Sequence, residues 1–107
     1  MTNTLKHVSE IVAKANDTFF NKYKKIDTLM GIMDKALRKQ GMQADAITID
    51  CVAQNKKIVF LLHDSAPDTV EVALGNKDGD IFSSSKYSLN DISEAAVFNI
   101  MVANFAS

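Results

Sequence analysis

The chain has 107 residues, of which 47% are apolar and 23% are charged, and its net charge is −1. This length gives room for one domain over residues 1–107, and the composition is that of a globular protein, which excludes disordered and fibrous classes. The single Cys51 excludes an internal disulfide, and no apolar run approaches the ~18 residues that cross a bilayer. We therefore expect a cytoplasmic protein with no membrane segment.

Charge is distributed unevenly along the chain. Residues 1–40 carry eight Lys/Arg and four Asp/Glu, a balance of +4, whereas residues 41–107 carry four and nine, a balance of −5. A basic first part and an acidic remainder can steer partners or favour self-association.

The first part of the chain has the pattern of a helix. Between Leu5 and Leu37 the apolar residues recur at spacings of three and four. One unbroken helix from Leu5 to Leu37 would be ~50 Å long, more than a four-stranded sheet of short strands can cover. Within 4–40 we therefore favour a pair of helices, from Thr4 to Tyr23 and from Asp27 to Gln40. Gly41 is then the C-terminal cap of the second helix.

Four β-rich runs follow, at about 46–53, 57–63, 69–75 and 80–87, and the short turns between them predict an antiparallel meander. A two-residue loop at Gln54-Asn55 sets the first register, and pairing of His63 with Thr69 sets the second. Both registers place the same residues of the central strand on one face. In the first predicted hairpin the apolar pairs are Cys51 with Ile58, Ile49 with Phe60, and Ile47 with Leu62. In the second they are Ile58 with Leu74, Phe60 with Val72, and Leu62 with Val70.

A C-terminal helix is predicted over about 89–105, beginning at Ser88 with Asp91 completing a capping box. The helix is apolar nearly all round over Val97 to Phe105, which predicts burial on more than one side. The resulting fold is α+β, with the meander packed by helices from both ends of the chain. Because this apolar surface exceeds what one sheet face needs, we expect a homodimer.

The second face of the sheet is the predicted binding surface. In the predicted register it has apolar residues in the middle and a polar rim. The four strands contribute, in order, Thr48, Asp50 and Val52, then Val59, Leu61 and His63, then Thr69, Glu71 and Ala73, and finally Phe82. The alternative is that one of the helices covers this face. The candidate binding residues are Asp50, Leu61, His63, Thr69 and Glu71.

Chemistry on this face would centre on His63. Its diagonal cross-strand neighbour is Glu71, ~7 to 8 Å away between backbones, and a Glu-oriented imidazole can act as a general base. Asp50 and Glu71 are ~12 Å apart in the predicted sheet, too far to share a proton. A small-molecule binder or an unusual enzyme using His63, Thr69 and Glu71 is therefore an alternative function.

No catalytic residue, cofactor or metal is assigned. Cys51 lies on the predicted core face, and one Cys with two His residues is too few for a zinc site. The basic residues between Lys22 and Lys39 are interpreted as the solvated side of a helix, with nucleic-acid binding as a further alternative. The leading hypothesis is a non-enzymatic protein-interaction or regulatory module that forms a homodimer.

Overall fold

The computed structural model describes residues 3–106, which form a five-stranded sheet with two long helices packed on one of its faces. Helix α1 spans Asn3–Lys22, a short α2 spans Ala36–Lys39 and α3 spans Glu94–Phe105. The strands are β1 (Leu29–Met33), β2 (Ala44–Cys51), β3 (Lys56–His63), β4 (Thr69–Gly75) and β5 (Ile81–Ser88).

Each strand pairs antiparallel with the next along the chain, in the order β1-β2-β3-β4-β5. The predicted α+β class, the meander and the packing by helices from both ends are confirmed. The strand count is corrected from four to five.

The fifth strand comes from the segment predicted as a second helix. Instead of a helix over 27–40, Leu29–Met33 pairs with β2 as an edge strand, and only Ala36–Lys39 is helical. Gly31 lies opposite Thr48, and a Cβ at this position would meet the Thr48 Oγ1 at 3.0 Å. Glycine therefore suits the close approach of these two strands. The prediction that Gly41 ends the helical segment is confirmed: Gly41 has φ +88, and the Met42 amide donates to the Leu37 carbonyl.

One of the two predicted hairpin registers is correct. Phe60 pairs with Val72 and Ile58 with Leu74, as expected. The β2–β3 register is displaced by two residues, so Ile49 pairs with Ile58. The displacement arises because a 3-10 turn over Val52–Gln54 and a left-handed Asn55 replace the two-residue loop. A shift of two preserves the face of every side chain, but it takes Val52 out of the sheet.

The hydrophobic core lies between the sheet and the two long helices. Side chains of α1 and α3 pack on the face of β2, β3 and β4 that we call the helix-side face. Phe19 packs edge-on against Phe98 and Phe105, which joins the two helices above the sheet. The largest fully buried side chains are Phe19, Phe60, Leu5, Ile47, Ile49, Ile58 and Met101.

The C-terminal helix begins later than predicted. Residues 89–91 form a separate 3-10 turn, and α3 starts at Glu94 with Ser93 as its N-cap. The Ser93 hydroxyl accepts a hydrogen bond from the Ala96 amide at 3.1 Å, whereas Ser88 makes no side-chain cap. Ser93, rather than the predicted Ser88, thus satisfies an amide of the first turn.

Candidate functional site

The second face of the sheet is the side opposite α1 and α3, and we call it the open face. The proposed cover by a long helix is not found among the described residues, because both long helices belong to the core on the helix-side face. Only Leu37 of α2 reaches its margin. The open face is therefore accessible in the described chain.

All five candidate residues lie on the strands of this face. Asp50 is on β2, Leu61 and His63 are on β3, and Thr69 and Glu71 are on β4. The structure divides them into two groups. Asp50 forms a 3.6 Å ion pair with Lys57 at one end of the strands, while His63, Thr69 and Glu71 lie together at the other.

His63 and Glu71 make the predicted contact. The Nε2 atom of His63 is 3.0 Å from Glu71 Oε1, and the Ser84 hydroxyl donates to Glu71 Oε2 at 3.1 Å. The bond from His63, and then that from Ser84, lowers the pKa of the Glu71 carboxyl below its ordinary value, because both stabilise the ionised form. Glu71 thereby fixes the orientation of the imidazole.

A cleft of about 330 Å³ opens beside this pair, and we call it the His63 cleft. Its lining supplies hydroxyl, ammonium and imidazole groups. Ser84 donates to Glu71 rather than to His63, so the arrangement does not activate a serine as a nucleophile. The cleft could hold a small polar molecule. The lining residues are His63, Ser65, Ala66, Thr69, Glu71 and Lys86.

A second, mostly apolar hollow lies further along the same face, and we call it the Leu61 groove. Its volume is about 180 Å³, and it shares no residue with the His63 cleft. Small residues form its floor and longer aliphatic side chains form its walls. The floor residues are Ala46, Thr48, Ala73 and Gly75, and the walls include Met33, Leu37, Val59, Leu61 and Ile81.

Sequence reasoning missed most of this groove. The predicted register did place Thr48, Val59, Leu61 and Ala73 on this face. Met33, however, was assigned to a helix and lies on β1, and Leu37 was assigned to a helix much longer than α2. The available signal was the presence of Ala46 and Ala73 at strand positions of the open face, since alanine is depleted in strands. Gly75 has another cause, because a Cβ there would collide with the Asp80 carbonyl oxygen.

A second missed feature is the Arg38 clamp, formed by Arg38 with Asp45 and Asp64. The guanidinium binds Asp45 through two hydrogen bonds of 3.0 Å and Asp64 through bonds of 2.8 and 2.9 Å. The Arg38 hydrogen bonds lower the pKa of the Asp64 carboxyl, and the two carboxylates raise the pKa of Arg38. Because Asp45 is only 4% exposed, the clamp ties α2 to a buried charge at the start of β2.

The basic residues between Lys22 and Lys39 do not share the helix surface predicted for them, because the second helix is confined to Ala36–Lys39. Lys22 ends α1, Lys24 and Lys25 lie in the following connection, and Lys39 ends α2. Arg38 is held by its two carboxylates. A single helical row of cations for nucleic acid therefore does not exist.

Within residues 3–106, no three His, Cys, Asp or Glu side chains are grouped as metal ligands would be. The described helices include none that is both long and apolar enough to span a bilayer.

Comparison with known proteins does not assign the chain to a family. No family model matches the chain, and no curated protein sequence or solved structure is similar to it.

Proposed function

We propose that the chain is a non-enzymatic interaction module whose partner is a second copy of itself, bound along β5. The observation that carries this proposal is the outer edge of β5. This strand has eight residues and is the last in the sheet, so its outer backbone groups pair with no other described strand. Such an edge is a template for another strand.

The side chains of β5 leave this edge unprotected. Ile81 and Phe82 are 62% and 70% exposed, and Lys86 is the only charged residue of the strand. Natural edge strands are usually blunted by several charges, a proline or a strong bulge. The irregularity between Leu74 and Gly75 affects only the beginning of β5, and the remainder is regular.

Helix α3 supports the same surface. Val97, Met101 and Phe105 are buried in the chain's own core, so much of the apolar surplus predicted for this helix is used internally. Ile100 and Ala103, however, border a groove of about 190 Å³ between α3 and β5. Glu94 is the only charged residue of α3. A partner helix can approach such a flank without burying a charge.

Two-fold symmetry then defines the register. In such a dimer the β5 strands of two copies pair antiparallel, with all helices on the same side of the joined sheet. Residues opposite each other then point to the same face, and the two-fold axis passes between one residue and the same residue of the second copy. An axis at Lys86 would place two ammonium groups opposite each other. An axis at Ser84 places Lys86 opposite the partner's Phe82, which allows a favourable cation–π contact.

A single-cysteine experiment tests this register. In Ser84→Cys the two introduced thiols would face each other across the axis, within reach of a disulfide. In the control Ser88→Cys, also on β5, the thiols would be ~27 Å apart. Cys51 is buried and does not compete. Oxidation should therefore give a covalent dimer of Ser84→Cys only, and crosslinking of neither or of both variants equally would contradict the proposal.

A charge on α3 tests the helix contact. Ala103→Lys places an ammonium beside β5, near the end of the helix where a cation suits the helix dipole, so the monomer is not weakened. We expect it to dissociate the dimer. Ala95→Lys, about 80° further round the helix and also exposed, is the matched control and should remain dimeric. Equal behaviour of the two variants in light scattering would argue against the contact.

A further inference from the structure

We infer that the Leu61 groove is a binding site for a small molecule with an apolar body of about one ring and a single hydroxyl group, as in a simple phenol. This site shares only Ile81 with the β5 strand and no residue with the His63 cleft, and the inference does not depend on dimer formation. Three observations support it: the volume, the division of residues between floor and walls, and the state of Thr48.

The volume suits a small ring. The groove measures about 180 Å³, and apolar cavities of roughly 150 Å³ in proteins accept benzene. Its walls are mainly aliphatic, so the body of a ligand would exchange water for Met33, Leu61 and Ile81. The polar side chains Lys57, Asn76 and Asp80 complete the lining. A carbon skeleton much larger than one ring would extend out of the hollow.

The floor keeps this space empty. Ala46 and Ala73 are 1% and 2% exposed although no helix lies over them, because the surrounding side chains rise above them. Valine or isoleucine would fill these positions and would favour strands more strongly. The small residues therefore leave a hollow in the middle of the open face.

Thr48 provides the polar group of the site. Its side chain lines the groove and is 7% exposed, and its hydroxyl forms no hydrogen bond with any residue of the described chain. It is not among the enclosed unpaired atoms of the described chain, which are Ser9 Oγ and Asn104 Nδ2, so it is open to the groove. A ligand hydroxyl above the floor would become its hydrogen-bond partner. The other polar side chains of the lining already have partners, since Lys57 is paired with Asp50 and Asn76 with Asp80.

A matched pair of probes and a matched pair of proteins test the site. Phenol and toluene differ by a hydroxyl against a methyl group, and Thr48→Val makes the same exchange in the protein. Each probe is titrated into the isotope-labelled full chain, and the backbone amide shifts are followed by NMR. Phenol should cause saturable shifts centred on Ala46, Thr48 and Ala73, with a dissociation constant on the order of a millimolar.

Thr48→Val should weaken phenol binding about fivefold and should change toluene binding by less than about twofold. Ala73→Leu, which fills the hollow, should abolish both. If Ala73→Leu does not fold, Ala46→Leu fills the same floor from β2. These results together would establish an apolar site with one polar contact.

The other outcomes would overturn the inference. Shifts that do not saturate, or that map to the His63 cleft, would exclude the groove as the phenol site. Equal weakening of phenol and toluene by Thr48→Val, or no effect on either, would remove the role of the hydroxyl. Without any probe, concentration-dependent shifts of the Ala46 and Thr48 amides, which lie on β2 away from the β5 contact, would identify a second copy as the occupant of the groove.

Discussion

At the scale of single residues, the contact between His63 and Glu71 on the open face makes the stability of the fold depend on pH. Glu71 accepts hydrogen bonds from His63 and Ser84, which lowers its pKa below the ordinary value of 4.5. A carboxyl with a lowered folded-state pKa stabilises the fold above its unfolded value, and this stabilisation is lost as the pH falls through the folded value. Acidification below about 4.5 should therefore weaken the fold through Glu71.

The variant Glu71→Gln tests this dependence. We expect it to be less stable than the wild type at pH ~7, with the difference shrinking at pH ~3. Urea unfolding at the two pH values measures it. Glu10→Gln on α1 is the control and should matter little at either pH, because Glu10 makes no side-chain hydrogen bond to the described residues. A difference for Glu71→Gln that is the same at both pH values would refute the role of ionisation.

The Arg38 clamp requires arginine and should not tolerate lysine at the same position. Lysine keeps the charge of arginine but cannot bind two carboxylates through paired hydrogen bonds. In Arg38→Lys the buried Asp45 would lose one of its two bonds, so the urea midpoint should fall and the amides of α2 should exchange faster with solvent. Lys39→Ala, an exposed neighbour on α2, should leave both quantities nearly unchanged. Equal effects of the two substitutions would contradict the clamp.

At the scale of secondary-structure elements, the sequence predicted those elements whose hydrophobic pattern is long or is fixed both by its period and by the buried face. The twenty residues of α1 and the pairing of Phe60 with Val72 were foreseen, because periodicity and face agree over many positions. The five residues of β1 were not, since a short apolar run fits a helix and a strand equally well and only pairing with β2 decides.

The start of α3 was misplaced for a related reason. Both Ser88 and Ser93 precede apolar residues, and sequence alone favours the one with an acidic residue three positions later. The strand β5 extends through Ser88, so the helix begins only after the 3-10 turn. On the open face, the polar candidates could be found because side chains along a strand alternate between the two faces of the sheet. The Leu61 groove could not, because it also depends on β1 and α2, and both segments were predicted as part of one helix.

The N-cap of α3 gives a quantitative prediction. Ser93→Ala removes the acceptor of the Ala96 amide and should lower the free energy of unfolding by about 1 kcal/mol, within a range of roughly 0.5 to 2. Ser88→Ala, the matched control, should change it by less than about 0.5 kcal/mol, because its side chain caps no helix. Urea titration distinguishes them. A larger effect at Ser88 would restore the cap predicted from sequence.

At the scale of the whole molecule, the two faces of the sheet have separate roles in our account. The helix-side face holds the core, and Ile100 and Ala103 of α3 line a groove beside β5. The open face keeps two hollows, neither of which lies on the proposed axis at Ser84. A dimer formed through β5 would therefore extend the sheet to ten strands and leave both hollows accessible.

The molar mass in solution tests this account most directly. Size-exclusion chromatography with light scattering at tens of micromolar, a concentration suited to a stable interface, should give the mass of two 11.7 kDa chains for the wild type and of one for Ala103→Lys. A wild-type mass of 11.7 kDa across that range would contradict association through β5.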